Sequence, residues 1–152
     1  MPALSSIVID APSDQVWDVL IDFDHWKDWN TWFSSIHSHD PNPAVGTKIT
    51  FTNKTSETAK PGTYNAHMVT WEPKKEFAWK GGPMPTSLSW VLRGHHWFIL
   101  VPQEGGKTRF DHGERIEGML KFLVPNSMVQ DLIKMINKFN GELKRRVEQG
   151  KR

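Results

Sequence analysis

Two histidines and a glutamate hold most of the chemistry in this sequence. From Gly94 to Gly118 the chain reads GHHWFILVP, a turn QEGGK, then TRFDHGERIEG. Strand side chains alternate between faces, so His96, Phe98, Leu100 and Pro102 share one side. Thr108, Phe110, His112, Glu114 and Ile116 share one side of the next strand. A five-residue loop from Gln103 to Lys107 sets Pro102 opposite Thr108. The register then runs Leu100 with Phe110, Phe98 with His112, and His96 with Glu114. Two imidazoles and a carboxyl are thus expected together on an apolar face, where ionisable groups need partners or a use.

Histidine suits general acid/base work because its ordinary pKa lies near working pH. A base beside an enolisable carbon, with a donor to the neighbouring carbonyl, would serve an aldol cyclisation or a dehydration. His96, His112 and Glu114 are therefore the expected catalytic residues, with Glu114 orienting His96 across the strand pair. Two other readings stay open: the group recognises a ligand's polar end without chemistry, or it is a buried polar cluster that fixes register. Two His and one carboxylate also match a facial metal triad. The paired, closely spaced histidines of a jelly-roll metal motif are missing, so no metal and no other cofactor is expected.

The chain holds eight Trp and eight Phe among 152 residues, enough to line a pocket as well as fill a core. Trp26, Trp29, Phe33, Trp71, Trp79 and Trp90 are expected to form cavity walls and mouth. Phe98, Phe110, Met135 and Phe139 are expected to contribute from the hairpin and the last helix. Flat walls favour a planar or polycyclic ligand. The loop from Lys80 to Pro85, with two Gly and two Pro, reads as a lid or a plain connection.

The positioning elements follow from periodicity. Leu4 to Asp10 reads as a strand. Val16, Val19, Leu20 and Phe23 make one helical stripe behind Pro12 and Asp14, and Asp24 to Phe33 reads as a second short helical piece. Strands are expected at Thr47–Asn53, Tyr64–Glu72, Glu76–Lys80 and Ser87–Arg93, before a sharp turn at Gly94 into the hairpin. Met128, Leu132, Met135, Ile136, Phe139, Leu143 and Val147 then mark one face of a helix from about Pro125 to Gln149. Its partner is the concave side of the sheet.

Composition excludes several classes. With no cysteine there are no disulfides, thiol nucleophiles or zinc–thiolate sites. A formal net charge of +2 gives no global field that would recruit nucleic acid. There is no phosphate-cradling glycine motif, dinucleotide fingerprint or nucleophile elbow. The first ten residues are too short and polar for a secretory signal, and no run approaches the ~18–20 apolar residues of a membrane span. A soluble cytoplasmic protein, a monomer or weak homodimer without stable membrane association, is expected. The basic Lys144, Arg145, Arg146, Lys151 and Arg152 suit the negative end of the last helix.

Taken together, IVIDAPSDQVWDVL from Ile7, DFDHWKDWN from Asp22, both hairpin strands and the long C-terminal helix resemble the SRPBCC (START-like, helix-grip) superfamily, and within it the polyketide cyclase/dehydrase-like group. The resemblance implies an α+β helix-grip fold in one domain, residues 1–152. A curved antiparallel sheet of about seven strands would wrap around the C-terminal helix, with two short helices after strand 1 and a cavity between sheet and helix. It implies a small hydrophobic ligand, aromatic or polyketide-like, cyclised or dehydrated by a cofactor-independent lyase. The alternative is a non-catalytic carrier of a lipid or aromatic metabolite.

Overall fold

A computed structural model describes residues 2–150; Met1 and the basic Lys151 and Arg152 lie outside the described residues. Seven antiparallel strands form one sheet: β1 (Ala3–Ile9), β2 (Phe33–Ser38), β3 (Lys48–Asn53), β4 (Gly62–Glu72), β5 (Glu76–Gly82), β6 (Arg93–Gln103) and β7 (Lys107–Glu117). Their order is β1-β7-β6-β5-β4-β3-β2, so every neighbour except β1 is also the next in sequence. Helix α1 (Ser13–Ile21) and a 3-10 turn (Phe23–Asp28) follow β1, and helix α2 (Asn126–Gln149) closes the chain.

α2 spans about 36 Å at 1.5 Å per residue. Pro125 stands at its N-cap in an extended conformation, φ −73 and ψ 151, and the expected apolar stripe is the face the helix buries. Leu132, Met135, Ile136, Phe139, Leu143 and Val147 lie against the concave sheet. Glu142 on the same helix accepts the Thr31 backbone N–H and hydroxyl, both at 2.6 Å, and so ties α2 to the turn before β2.

Two elements differ from the sequence reading. β2 starts at Phe33, the residue expected to end a helical piece, and its remaining residues were assigned to no element. A bulge between Phe33 and Ser35 puts the buried Phe33 and Ile36 three apart, a spacing that mimics a helix. The 3-10 turn stops because Asn30 takes the Trp26 carbonyl through Nδ2, while its Oδ1 accepts the Trp32 and Phe33 N–H groups. Conversely, Ser87–Arg93 is not a strand. Thr86–Leu88 is a 3-10 turn, and β5 pairs directly with β6, which leaves the apolar alternation of Leu88, Trp90 and Leu92 without a ladder. Pro83 and Pro85 lack the N–H that a ladder requires.

Candidate functional site

The hairpin has the expected register. Pro102 pairs with Thr108, Leu100 with Phe110, Phe98 with His112, and His96 with Glu114. Gly105 and Gly106, at φ +75 and +72, supply the left-handed turn that joins the strands. Gly94 is not the turn expected of it but a β6 residue opposite Gly81. A Cβ on Gly94 would lie 2.5 Å from Glu114 Oε1, so the missing side chain makes room for the carboxyl.

The polar groups form a chain. His96 Nε2 meets His112 Nε2 at 2.6 Å, and His112 Nδ1 meets Asn140 Oδ1 at 2.8 Å. His96 Nδ1 lies 3.9 Å from Glu114 Oε2, within ion-pair range but beyond a hydrogen bond. The contact to Asn140 sets the polarity. An amide oxygen only accepts, so His112 carries its proton on Nδ1, and its Nε2 accepts from His96 Nε2–H. A neutral His96 then turns an Nδ1 lone pair toward Glu114.

Asn140 Nδ2 has no hydrogen-bond partner among the described residues. Turning that amide over would place its NH₂ on His112 Nδ1 and reverse every bond in the chain. His96 Nδ1–H would then point at the Glu114 carboxylate. The two polarities therefore match the two protonation states of Glu114.

Burial, followed by the charges of His112 and His95, pushes the His96 imidazole well below its ordinary value. Burial likewise holds His112 at about 3, against the opposing effect of its bond to Asn140. Burial raises Glu114 to about 7. The group of this cluster that titrates near neutrality is thus the carboxyl, and the imidazoles are neutral. Phe98 stacks on both rings, 4.7 Å from His96 and 4.6 Å from His112, and Trp32 packs 5.4 Å from His96.

Only His96 and Glu114 of the three reach a cavity; His112 lies behind them. The cavity, about 230 Å³, opens between the Gly81–Gly94 end of the sheet and the first half of α2. Phe51, Tyr64, Leu92, Ile116, Val124, Met128 and Leu132 give it an apolar wall, and Asn53, Lys54 and Arg93 stand among its polar lining. It is smaller than the ~300–1,000 Å³ usual for ligand pockets.

The expected aromatic wall is corrected by this geometry: none of those ten residues lines the cavity. Trp26, Phe33, Trp79, Phe98, Phe110, Met135 and Phe139 are buried in a filled core, where Trp26 meets Phe33 and Phe139 at 5.2 Å and Phe98 at 5.8 Å. Trp29 is half-buried against Phe139, Trp71 packs edge-on against Trp17 away from the cavity, and Trp90 is exposed. Large rings pack against each other at close-packed density, and the space left over falls where medium-sized side chains meet the open end of the sheet. Of the Lys80–Pro85 segment, Gly81, Gly82 and Pro83 line the cavity.

Sequence reasoning missed Asn140, Trp32 and the true lining. Asn140 interrupts the apolar stripe of α2 one position after Phe139, and a polar residue on a buried stripe was the available signal. Among the described residues no group of three or more His, Asp or Glu has metal-binding geometry. No helix among them is long and apolar enough to cross a membrane.

A curled seven-stranded sheet gripping a long C-terminal helix, with a cavity between them, defines the START-like helix-grip class. The comparisons agree. A family described as polyketide cyclase / dehydrase and lipid transport matches residues 4–148, and the chain belongs to that family. Solved structures share the fold at low identity. A START superfamily protein from Mycobacterium smegmatis is 14% identical at TM-score 0.76, covering 97% of each chain. The protein TTHA0849 from Thermus thermophilus is 13% identical at TM-score 0.75, covering 99% of each chain. The Zhui aromatase/cyclase from a Streptomyces species is 11% identical at TM-score 0.71, covering 100% of this chain and 96% of that one. No curated protein matches the chain.

Proposed function

We propose that the protein binds a small hydrophobic molecule, aromatic or polyketide-like, in this cavity and catalyses its dehydration or cyclisation, with Glu114 as the acid/base. The observation that supports this reading is a carboxyl raised to about 7 on the wall of a mainly apolar cavity, backed by a neutral His96. For a dehydration, the Glu114 carboxylate takes a proton from the carbon beside a ligand carbonyl. The acid so formed returns that proton to the leaving β-hydroxyl, which departs as water. The substrate loses one H and one OH, and Glu114 ends as it began. Burial keeps the His96 and His112 imidazoles neutral throughout, so the proton stays between Glu114 and the substrate while His96 turns its Nδ1 toward the carboxyl.

A second reading, a carrier for a lipid or aromatic metabolite, is favoured by the apolar residues beside the cavity. Trp90, Met119, Phe122 and Leu123 are exposed on two loops joined by bonds from the Met119 N–H to the Trp90 carbonyl and from the Leu120 N–H to the Val91 carbonyl. The two readings part on turnover. Candidate β-hydroxyketones are incubated with the protein while tryptophan fluorescence reports binding. Catalysis predicts many product molecules per protein, and Glu114→Gln should lower the rate by ~10²–10⁴-fold with affinity retained. Stoichiometric binding without product makes the protein a carrier. Leu132→Trp should fill the cavity and abolish binding; a ligand that still binds sits elsewhere.

A further inference from the structure

The outer face of the sheet, away from the cavity chemistry, carries a line of basic side chains. Lys48 pairs with His67, His67 with Lys80, Lys80 with His95, and His95 with Arg115. The His39 N–H donates to the Lys48 carbonyl and extends the line beyond β3. At ~4.8 Å per strand, His39 to Arg115 spans about 24 Å. Lys48, Lys80 and Arg115 thus put three positive charges on one face, alternating with His67 and His95, whose imidazoles burial holds below their ordinary value. Such a row favours an offsetting negative charge.

At the β6–β7 end the protein supplies the offset itself. Glu117 lies 3.1 Å from Lys80, 3.3 Å from Arg93, 3.2 Å from Arg115 and 3.5 Å from His95. Burial works against its ionisation, but the bonds from Lys80, Arg115 and Arg93 prevail and hold it at about 2. At the β3–β5 end, by contrast, the same row faces a groove of about 500 Å³ whose lining residues include no Asp or Glu. Lys48, His67 and Lys80 form one side, with Asn65 beside them, and Thr86 and Ser89 on the β5–β6 connection form the other. The Thr50 hydroxyl donates to Asn65 Oδ1, which leaves the Asn65 amide N–H groups as donors.

We propose that this groove is a second binding site, for a phosphate-bearing ligand (a phosphomonoester or a diphosphate). No acidic partner among the described residues pairs with Lys48, and the one carboxylate of Glu117 is shared by Lys80, Arg93 and Arg115, so the surplus charge along the row is positive. That surplus suits a dianion, and the hydroxyl, amide and imidazole groups around Lys48 suit an anion with three or more acceptor oxygens. The surroundings of His67 agree. It is faced by Lys48 from β3, Lys80 from β5 and Arg93 from β6, while the β5–β6 connection brings only Met84, Thr86 and Ser89 to the groove. Burial, then Arg93 and Lys80, lower its pKa, and a bound anion would reverse that shift.

The test uses inorganic pyrophosphate in calorimetry and in NMR of the His67 ring, and vesicles of phosphatidylcholine with and without phosphatidic acid in co-sedimentation. Saturable pyrophosphate binding is expected, about tenfold weaker in Lys48→Gln, unchanged in Lys134→Gln on the exposed side of α2, and accompanied by a higher His67 titration midpoint. Association with phosphatidic acid vesicles that is lost in Lys48→Gln, without pyrophosphate binding, assigns the phosphate to a lipid headgroup and equally supports the site. Binding of neither probe overturns the proposal. So does binding that survives both Lys48→Gln and the Lys48→Gln/Lys80→Gln double variant.

Discussion

Glu114 owes its position to a residue that is absent as much as to those present, since Gly94 leaves the space its carboxyl occupies. The imidazoles behind it take their tautomers from Asn140. A carboxylate in place of that amide would favour the charged imidazole. Asn140→Asp is therefore expected to raise the His112 titration midpoint above its present value of about 3, read from the ring protons by NMR. An unmoved midpoint would mean that residue 140 does not govern the ring. The grouping of His96 with Glu114 was legible in the sequence, because strand parity and one short loop determine it. The partner of His112 was not, because Asn140 lies 28 residues away on another element.

Among the elements, the β6–β7 hairpin was read correctly because its long strands alternate without interruption. β2 was hidden by its bulge, and the segment before β6 carried strand-like alternation with no neighbour to pair with. Only packing resolves such cases, since alternation marks a face and not a partner. The connection from β7 to α2 is where the cavity wall is most constrained. Gly118 turns there at φ +118, and a Cβ would press on the Val91 carbonyl oxygen and come within 2.9 Å of Leu92 Cα. Gly118→Ala should cost about 1–3 kcal/mol of stability. Because Leu92 and Val124 line the cavity, ligand affinity should fall as well. Thermal denaturation and fluorescence titration of the variant check both; an unchanged melting temperature would show that the turn adapts freely.

The molecule as a whole should show the half-buried Glu114 and the buried imidazoles in its response to pH. Glu114 is held at about 7 against an ordinary 4.5, so the folded state binds its proton more tightly than the unfolded chain. Its contribution is lost as pH rises from about 4.5 to 7 and stays lost above. His112, at about 3 against 6.5, works the other way and loses its contribution as pH falls through that range, with His96 shifted in the same direction. Glu114→Gln should thus exceed the parent protein in stability by up to ~3 kcal/mol above neutrality. The advantage should vanish near pH ~4, where both states of the parent are largely protonated. Urea denaturation at the two pH values measures the difference, and an equal advantage at both would remove Glu114 as its source.

By itself the sequence determined which side chains share a face: period two in the hairpin, period 3.6 in α2, and the short loop that sets register are all local. Tertiary structure alone decided that the aromatic rings fill the centre, that the open space lies beside Glu114, and that a line of basic side chains crosses the outer face. Those outcomes depend on how side-chain volumes and charges from distant elements meet, and no local period encodes that meeting.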